Sequence, residues 1–187
     1  MTETDLIDRL QKGEEPAFRS LVLEHQHRVY NTVLGFLQDP ADAEDVTQEV
    51  FIKVYQHIKG FKGEASLSTW IYRIAVTASL EAVRKRQRKK RGGFLVKLFG
   101  SDDHPVELPD FYHPGVVAEQ KEDSALLFKA IRQLPENQQA AFLLQKLEGL
   151  SQPEIAAVLQ TSLSAVESLL HRAKSGLRKI LSERYGK

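Results

Sequence analysis

The chain has 187 residues, 42% of them hydrophobic and 27% charged, values of a soluble globular protein with one domain or two small ones. It has no cysteine, no apolar run long enough to cross a bilayer and no signal peptide, which excludes a disulfide framework, thiolate zinc sites and membrane insertion and fits a cytoplasmic location. Net charge is only +1, so any surface for nucleic acid must come from local segregation of charge.

Thr4 to Gly13 predicts a short helix, with Leu6, Ile7 and Leu10 on one side and Gly13 as its stop. Pro16 can open the next helix, whose apolar positions are Phe18, Leu21, Val22, Val29, Val33 and Leu37, widened by Tyr30 and Leu34. His25 and His27 are two apart and point to different faces, so no metal site is expected there. Asp39-Pro40 is a break. Asp42-Ala43-Glu44-Asp45 then loads carboxylates into the first turn of a third helix, where they favour the macrodipole. Val46, Val50 and Val54 are spaced by four, and Phe51 and Ile58 extend that face inward. Asp45, Gln48, Glu49 and Lys53 look outward. Nothing nearby completes a metal or acid–base site, so these carboxylates are expected to cap the helix or bind a partner.

Gly60 to Ala65 reads as a loop, and Ser66 or Ser68 can cap the helix that follows. Its stripe is Leu67, Ile71, Ile74 and Ala78, with Trp70 and Tyr72 nearby. The helix ends in the run Arg84 to Arg91, where every residue except Gln87 is Lys or Arg. Such a block repels itself, so it must be solvated or paired with polyanion. Basic charge beside aromatics suits single-stranded nucleic acid, because rings stack on unpaired bases while cations track phosphates.

Residues 92–118 include Gly92, Gly93, Pro105, Pro109 and Pro114 and read as a flexible linker, ordered only on a partner. Within it, Phe94 to Phe99 can form a short amphipathic turn. From Glu119 the helical pattern returns with Leu126, Leu127, Ala130, Ile131 and Leu134. Pro135 breaks and restarts it, and Phe142, Leu143 and Leu147 lead to a stop at Gly149. No internal repeat or strand pattern is visible.

Ser151-Gln152-Pro153-Glu154 has the form of a capping box, opening a short helix with Ile155, Ala156 and Leu159 on one face. Gln160 to Leu163 interrupts it, and a second helix follows, capped by Ser162 or Ser164. Its buried stripe is Val166, Leu170, Ala173, Leu177 and Leu181; the other face shows Glu167, Ser168, His171, Arg172, Lys174, Ser175 and Arg178. A short helix, a tight turn and a longer helix with a polar, partly basic face make a helix-turn-helix. Its groove face would be Ser164, Ala165, Glu167, Ser168, His171, Arg172 and Lys174.

Three stretches together resemble one family. Asp42 to Phe51 (DAEDVTQEVF) looks like the DAEDxxQEVF signature of bacterial RNA polymerase sigma factors of the extracytoplasmic-function group, within the sigma-70 family. Phe61 to Ala75 (FKGEASLSTWIYRIA) resembles the segment that follows it. Leu134-Pro135 onward, through Glu148-Gly149-Leu150-Ser151 and Leu170-His171-Arg172-Ala173, resembles that group's promoter-reading helix-turn-helix.

The resemblance implies an all-α chain of two small helical domains joined by a linker. Residues 1–91 would be a region 2 domain and residues 119–187 a region 4 domain, a winged-helix-like, four-helix helix-turn-helix. The first would bind core RNA polymerase through Asp45, Gln48 and Glu49, docked on the clamp coiled coil. It would also open and read the minus-ten element through Lys62, Ser66, Trp70, Arg73, Thr77, Arg84 and Arg88, with a flipped base captured in the loop Phe61 to Ser68. The second would read the minus-thirty-five element as duplex, and the linker would thread the polymerase cleft. Core polymerase, promoter DNA and an anti-sigma factor are the implied partners, with no cofactor and no metal. Thr77 stands where Asn is common, Gln160 where Gly is frequent, and Glu167 and Leu169 where basic residues are common, so the promoter sequence does not carry over.

A conventional repressor using the same helix-turn-helix would leave Asp42 to Phe51 and the basic run without a task. A protein-only interaction module would leave the basic run unexplained. An enzyme is not indicated: there is no Walker motif, Gly-rich dinucleotide loop, HExxH or nucleophile elbow.

Overall fold

The structure, a computed structural model, describes residues 2–97 and 121–185. All regular structure among them is helical. Helix α1 (Glu3–Gln11) opens on a capping box between Thr2 and Asp5, and the chain turns away at Gly13, whose φ of 77° only glycine adopts at little cost. Helix α2 (Glu15–Leu37) has Pro16 in its first turn and ends at a left-handed Gln38. Helix α3 (Pro40–His57) is capped by Asp39, whose carboxylate accepts from the Asp42 amide at 3.1 Å. A single 3₁₀ turn, Ile58–Gly60, leads into the loop before α4 (Leu67–Lys97). Ser66 caps α4 by accepting from the Thr69 amide at 3.2 Å.

Helix α4 runs past the expected boundary at Gly92. Glycine in a helix interior costs only about 1 kcal/mol, and unlike proline it keeps the hydrogen-bond ladder intact, so Gly92-Gly93 does not stop the helix. Of the expected linker, residues 98–118 lie outside the described residues, and the amphipathic turn from Phe94 begins within α4.

The first domain packs α2, α3 and α4 around Leu21, Val29, Val33, Val50, Val54 and Ile71, with Leu6 and Leu10 of α1 closing one end. Full burial contributes roughly 1.5–3 kcal/mol for each large side chain. The Val46/Val50/Val54 stripe is buried as its spacing predicts. Along α4 the buried set is wider than one stripe: Tyr72, Ala75, Val76 and Ser79 are buried as well as Ile71 and Ala78, while Ile74 is half-buried. The cause is that α2 and α3 both pack on α4, and Tyr72 also meets Glu148.

The second domain is α5 (Lys121–Ile131), α6 (Glu136–Lys146), α7 (Gln152–Leu159) and α8 (Leu163–Tyr185). These four helices carry no wing strand among the described residues. The Ser151/Glu154 box closes in both directions: the Ser151 amide donates to the Glu154 carboxylate at 2.7 Å, and the Ser151 hydroxyl accepts from the Glu154 amide. Gln160 ends α7 at φ 52°, a left-handed conformation. Ser162, not Ser164, caps α8, accepting from the Ala165 amide at 3.2 Å. On α7 the buried pair is Ile155 and Val158, with Ala156 and Leu159 half-buried; on α8, Val166, Leu170, Ala173 and Leu177 are buried and Leu181 is half-buried.

The two domains, expected to be flexibly joined, are docked on each other. Gly35 of α2 lies at the seam: a Cβ there would fall 2.7 Å from Leu147 Cδ1 and 3.3 Å from Leu143 Cδ2, so a larger residue would have to displace those leucine methyls. The buried Gln38 amide donates to the Phe128 carbonyl at 2.8 Å. Glu148, its side chain only 3% exposed, accepts from Thr32 Oγ1 at 2.8 Å, Tyr72 Oη at 2.6 Å and Arg28 Nε at 3.3 Å. Three donors compensate the desolvation of its carboxylate. Burial, and then the bond to Glu148, push the Tyr72 hydroxyl far above its usual pKa, so it stays a donor.

Candidate nucleic-acid interface

Three surfaces are presented. The first is the outer face of α3. Asp45, Gln48 and Glu49 are all exposed, on the side opposite the buried valines. Glu49 is tied to Lys53 at 2.8 Å, and that bond raises the lysine's pKa above its ordinary value. Gln48, Ile52 and Tyr55 follow one another at four- and three-residue steps and so share a face. Ile52 and Tyr55 are 56% and 55% exposed, and Tyr55 is held edge-on by Phe18 at 5.1 Å between ring centroids. Sequence reasoning passed over this apolar pair. The available signal was that Ile52 and Tyr55 fall off the Val46/Val50/Val54 stripe.

The second surface is the loop before α4. Phe61 and Trp70 pack with centroids 5.1 Å apart and planes inclined at 45°. They line an open cavity of about 580 Å³ together with Lys62 and Arg73 of the first domain and Ala157 and Gln160 of the second. Trp70 is half-buried, lining the cavity and packing against the core. Lys62 is exposed, and Gly63 bends the loop at φ 72°. Ser66 spends its hydroxyl on capping α4. Thr77, exposed one turn beyond Arg73, returns its hydroxyl to the Arg73 carbonyl at 2.8 Å. Arg73 donates from Nη2 to the Ala157 carbonyl at 2.8 Å, while its Nε is buried without a partner.

The basic run continues this surface along α4. It is not uniformly free. Arg84 grips the Glu136 carboxylate with Nε at 2.9 Å and with Nη2, which holds Glu136 below the usual carboxylate range. Arg86 reaches Asp42 at 3.2 Å, while Lys85, Arg88 and Lys89 are exposed. Lys62, Trp70 and Arg73 thus gather at one cavity, and Arg84 lies roughly 16 Å further along the helix at 1.5 Å per residue.

The third surface is α8. Ser164, Glu167, Ser168, His171, Arg172 and Lys174 are exposed and Ala165 is half-buried, on the side opposite the buried stripe. Ser164 to Arg172 spans about 12 Å of helix, close to the width of a B-DNA major groove.

Among the described residues, no cluster of His, Cys, Asp and Glu could hold a metal ion, and no helix is long and apolar enough to cross a membrane.

Residues 21–89 match the family model for Sigma-70 region 2, and residues 124–177 match the model for Sigma-70, region 4. The RNA polymerase sigma-H factor of Pseudomonas aeruginosa is 34% identical over 182 residues, covering 96% of this chain and 93% of the relative. The ECF RNA polymerase sigma-E factor of Escherichia coli is 32% identical over 186 residues, covering 95% of this chain and 93% of the relative. This chain belongs to the extracytoplasmic-function group of sigma-70 factors. The fold is also that of CnrH, solved in complex with the cytosolic domain of CnrY, with a TM-score of 0.69 at 22% identity over 95% of this sigma factor and 96% of CnrH. A structure of the sigma factor RpoE in complex with the anti-sigma factor NepR, from Bartonella quintana, gives 0.61 at 21% identity over 88% and 96%. The matched region 2 begins at residue 21, inside α2, so α1 of this sigma factor lies outside it. Like other sigma factors, it is an initiation factor and not an enzyme.

Proposed function

We infer that this sigma factor binds core RNA polymerase in the cytoplasm and directs promoter recognition and DNA opening. The observation that carries the reading is the order of the two matched regions, with the helix-turn-helix of the second presenting a polar face from Ser164 to Lys174 that is exposed among the described residues. Asp45, Gln48 and Glu49 are the polymerase contacts. Lys62, Ser66, Trp70, Arg73, Thr77, Arg84 and Arg88 handle the opened minus-ten strand. The α8 face reads the minus-thirty-five duplex. Residues 1–91 and 119–187 are the two working domains, joined by residues 92–118. An anti-sigma factor is the further partner, proposed from membership of the group.

The docked arrangement is the polymerase-free state on this reading. Arg73 and Arg84, two of the minus-ten residues, are engaged by Ala157 and Glu136 of the other domain. The two promoter elements lie about 25 base pairs apart, roughly 85 Å at 3.4 Å per pair. Domains joined through a shared buried carboxylate cannot meet both at once on straight DNA, so they must separate. Residues 98–120, roughly 80 Å when fully extended, together with the length of the domains themselves leave room for that separation.

Co-purification with core polymerase, followed by run-off transcription from the organism's own promoters, tests the reading. Specific transcripts dependent on the added protein are expected. Binding to duplex promoter DNA without polymerase, and no transcript, would overturn it.

A further inference from the structure

Helix α1 holds both ends of the minus-ten loop. Near the C-terminus of α1, the Gln11 amide donates from Nε2 to the Phe61 carbonyl at 2.9 Å and to the Ile58 carbonyl at 3.3 Å. Both partners are acceptors, so chemistry alone orients this amide. At its N-terminus, the Glu3 carboxylate accepts from the Leu67 amide at 2.6 Å. Leu67 is the first residue of α4, so its N–H has no partner within the helix, and a carboxylate there also favours the helix dipole. The two contacts fall on either side of the loop Phe61 to Ser66. Glu3 and Gln11 stand about 12 Å apart along α1, at 1.5 Å per residue. Leu6 and Leu10, buried between them, fix the helix against the first domain.

We propose that α1 is a splint for this loop, and that Glu3 and Gln11 are positioning residues for minus-ten base selection. Neither side chain lines the Phe61/Trp70 cavity. They act through the backbone. Gln11 sets where the chain leaves the 3₁₀ turn and hence where the Phe61 ring meets Trp70, while Glu3 sets where the chain enters α4. Between them, Gly63 leaves the loop soft, so its shape depends on its anchors. Base capture requires a cavity of defined width, and loosening either anchor should lower discrimination before it lowers affinity. The proposal rests on the loop being the minus-ten reader.

The experiment uses the full chain in holoenzyme and a promoter set in which each minus-ten base is varied singly. Open-complex formation is read by permanganate reactivity. Gln11→Glu keeps the shape but turns an acceptor toward two carbonyl oxygens. It should reduce the preference for the best base by roughly tenfold, the effect of one or two lost hydrogen bonds. Glu3→Ala should act in the same direction, and Glu3→Gln, which keeps an acceptor oxygen, should restore the preference. Core affinity and minus-thirty-five preference should not move, which separates positioning from general loss of fold. Trp70→Ala reports on the loop itself. If Trp70→Ala alters base preference while Gln11→Glu leaves it within twofold, the splint is overturned and the loop reading stands. If neither alters it, both fall, and the failure lies with the loop. A preference lost equally in Glu3→Gln and Glu3→Ala would also overturn the proposal.

Discussion

The Tyr72 hydroxyl of α4 donates to the Glu148 carboxylate at 2.6 Å, across the boundary between the two domains. Glu148 lies at the end of α6, in the turn that precedes the helix-turn-helix, and Thr32 and Arg28 of α2 share its oxygens. One side chain therefore gathers donors from two helices of region 2. Glu148→Ala leaves the buried Tyr72 hydroxyl without its acceptor, while Thr32 can still donate to the Arg28 carbonyl at 3.0 Å, and should weaken docking by roughly 1–3 kcal/mol. Small-angle scattering should then show a larger radius of gyration for the free protein. Apparent affinity for core polymerase should rise, because the cost of opening has been removed. An unchanged radius with weaker core binding would contradict the docked resting state.

The basic run should divide by partner. Arg88 is exposed, whereas Arg84 is shared with Glu136 and Arg86 with Asp42. Arg88→Ala should slow promoter opening and flatten its salt dependence by roughly one slope unit if one phosphate contact is lost. Arg84→Ala should do the same and also loosen docking, only slightly because both partners are solvent-exposed. Opening rates measured against salt for each variant, with a Glu136→Ala cycle in the free protein, separate the two effects.

On α3, Asp45→Ala and Gln48→Ala remove exposed side chains and should leave thermal unfolding unchanged, within about 0.5 kcal/mol. Core affinity should fall. Ile52→Ser tests the neighbouring apolar face, and a comparable loss of affinity would extend the docking surface toward Tyr55. Glu49→Ala is a less clean probe, because it also removes one of the two carboxylates that hold Lys53, the other being Glu81.

The recognition helix should respond asymmetrically. Glu167 is exposed near the start of α8, where side chains reach base edges, and its carboxylate can accept from a cytosine amino group. Glu167→Ala should relax preference at one base pair by roughly 1–3 kcal/mol. Arg172, further along, should contact phosphate, and Arg172→Ala should weaken all minus-thirty-five sequences alike. Transcription of a promoter library by both variants compares them directly, and a base-specific effect of Arg172→Ala would reverse the assumed orientation.

His25 makes stability depend on pH. Burial holds its imidazole below the ordinary 6.5; Glu24 and Glu3 oppose this and Arg28 adds to it. In the window between the lowered folded value and about 6.5, the unfolded chain binds more protons, so stability rises with pH. The contribution is complete above about pH 6.5 and is lost as pH falls through the folded value. Urea melts on both sides of that pH should show the difference, and His25→Gln should reduce it.

The elements legible from the residues alone were those whose cause is local. Ser151 and Glu154 are three apart, so their reciprocal bonds follow from helix geometry wherever the helix lies. Val46, Val50 and Val54 must share a face for the same reason, and so must Val166, Leu170, Ala173 and Leu177. The exposed face of α8 is what remains once that stripe is buried. The helical pattern and the helix-turn-helix could be read on this basis; the two-domain architecture came from the resemblance to sigma factors.

Tertiary structure decided what depends on distant residues meeting. No periodicity relates Tyr72 to Glu148, Arg84 to Glu136, or Gln11 to Phe61, so their pairing exists only once the helices have packed. Arg84 and Arg86, in a run expected to be solvated or paired with polyanion, became partners of carboxylates, and domains expected to be flexibly joined are docked. Such polar pairs form because burial makes an unpartnered group costly, and which groups are buried together is a property of the assembled core.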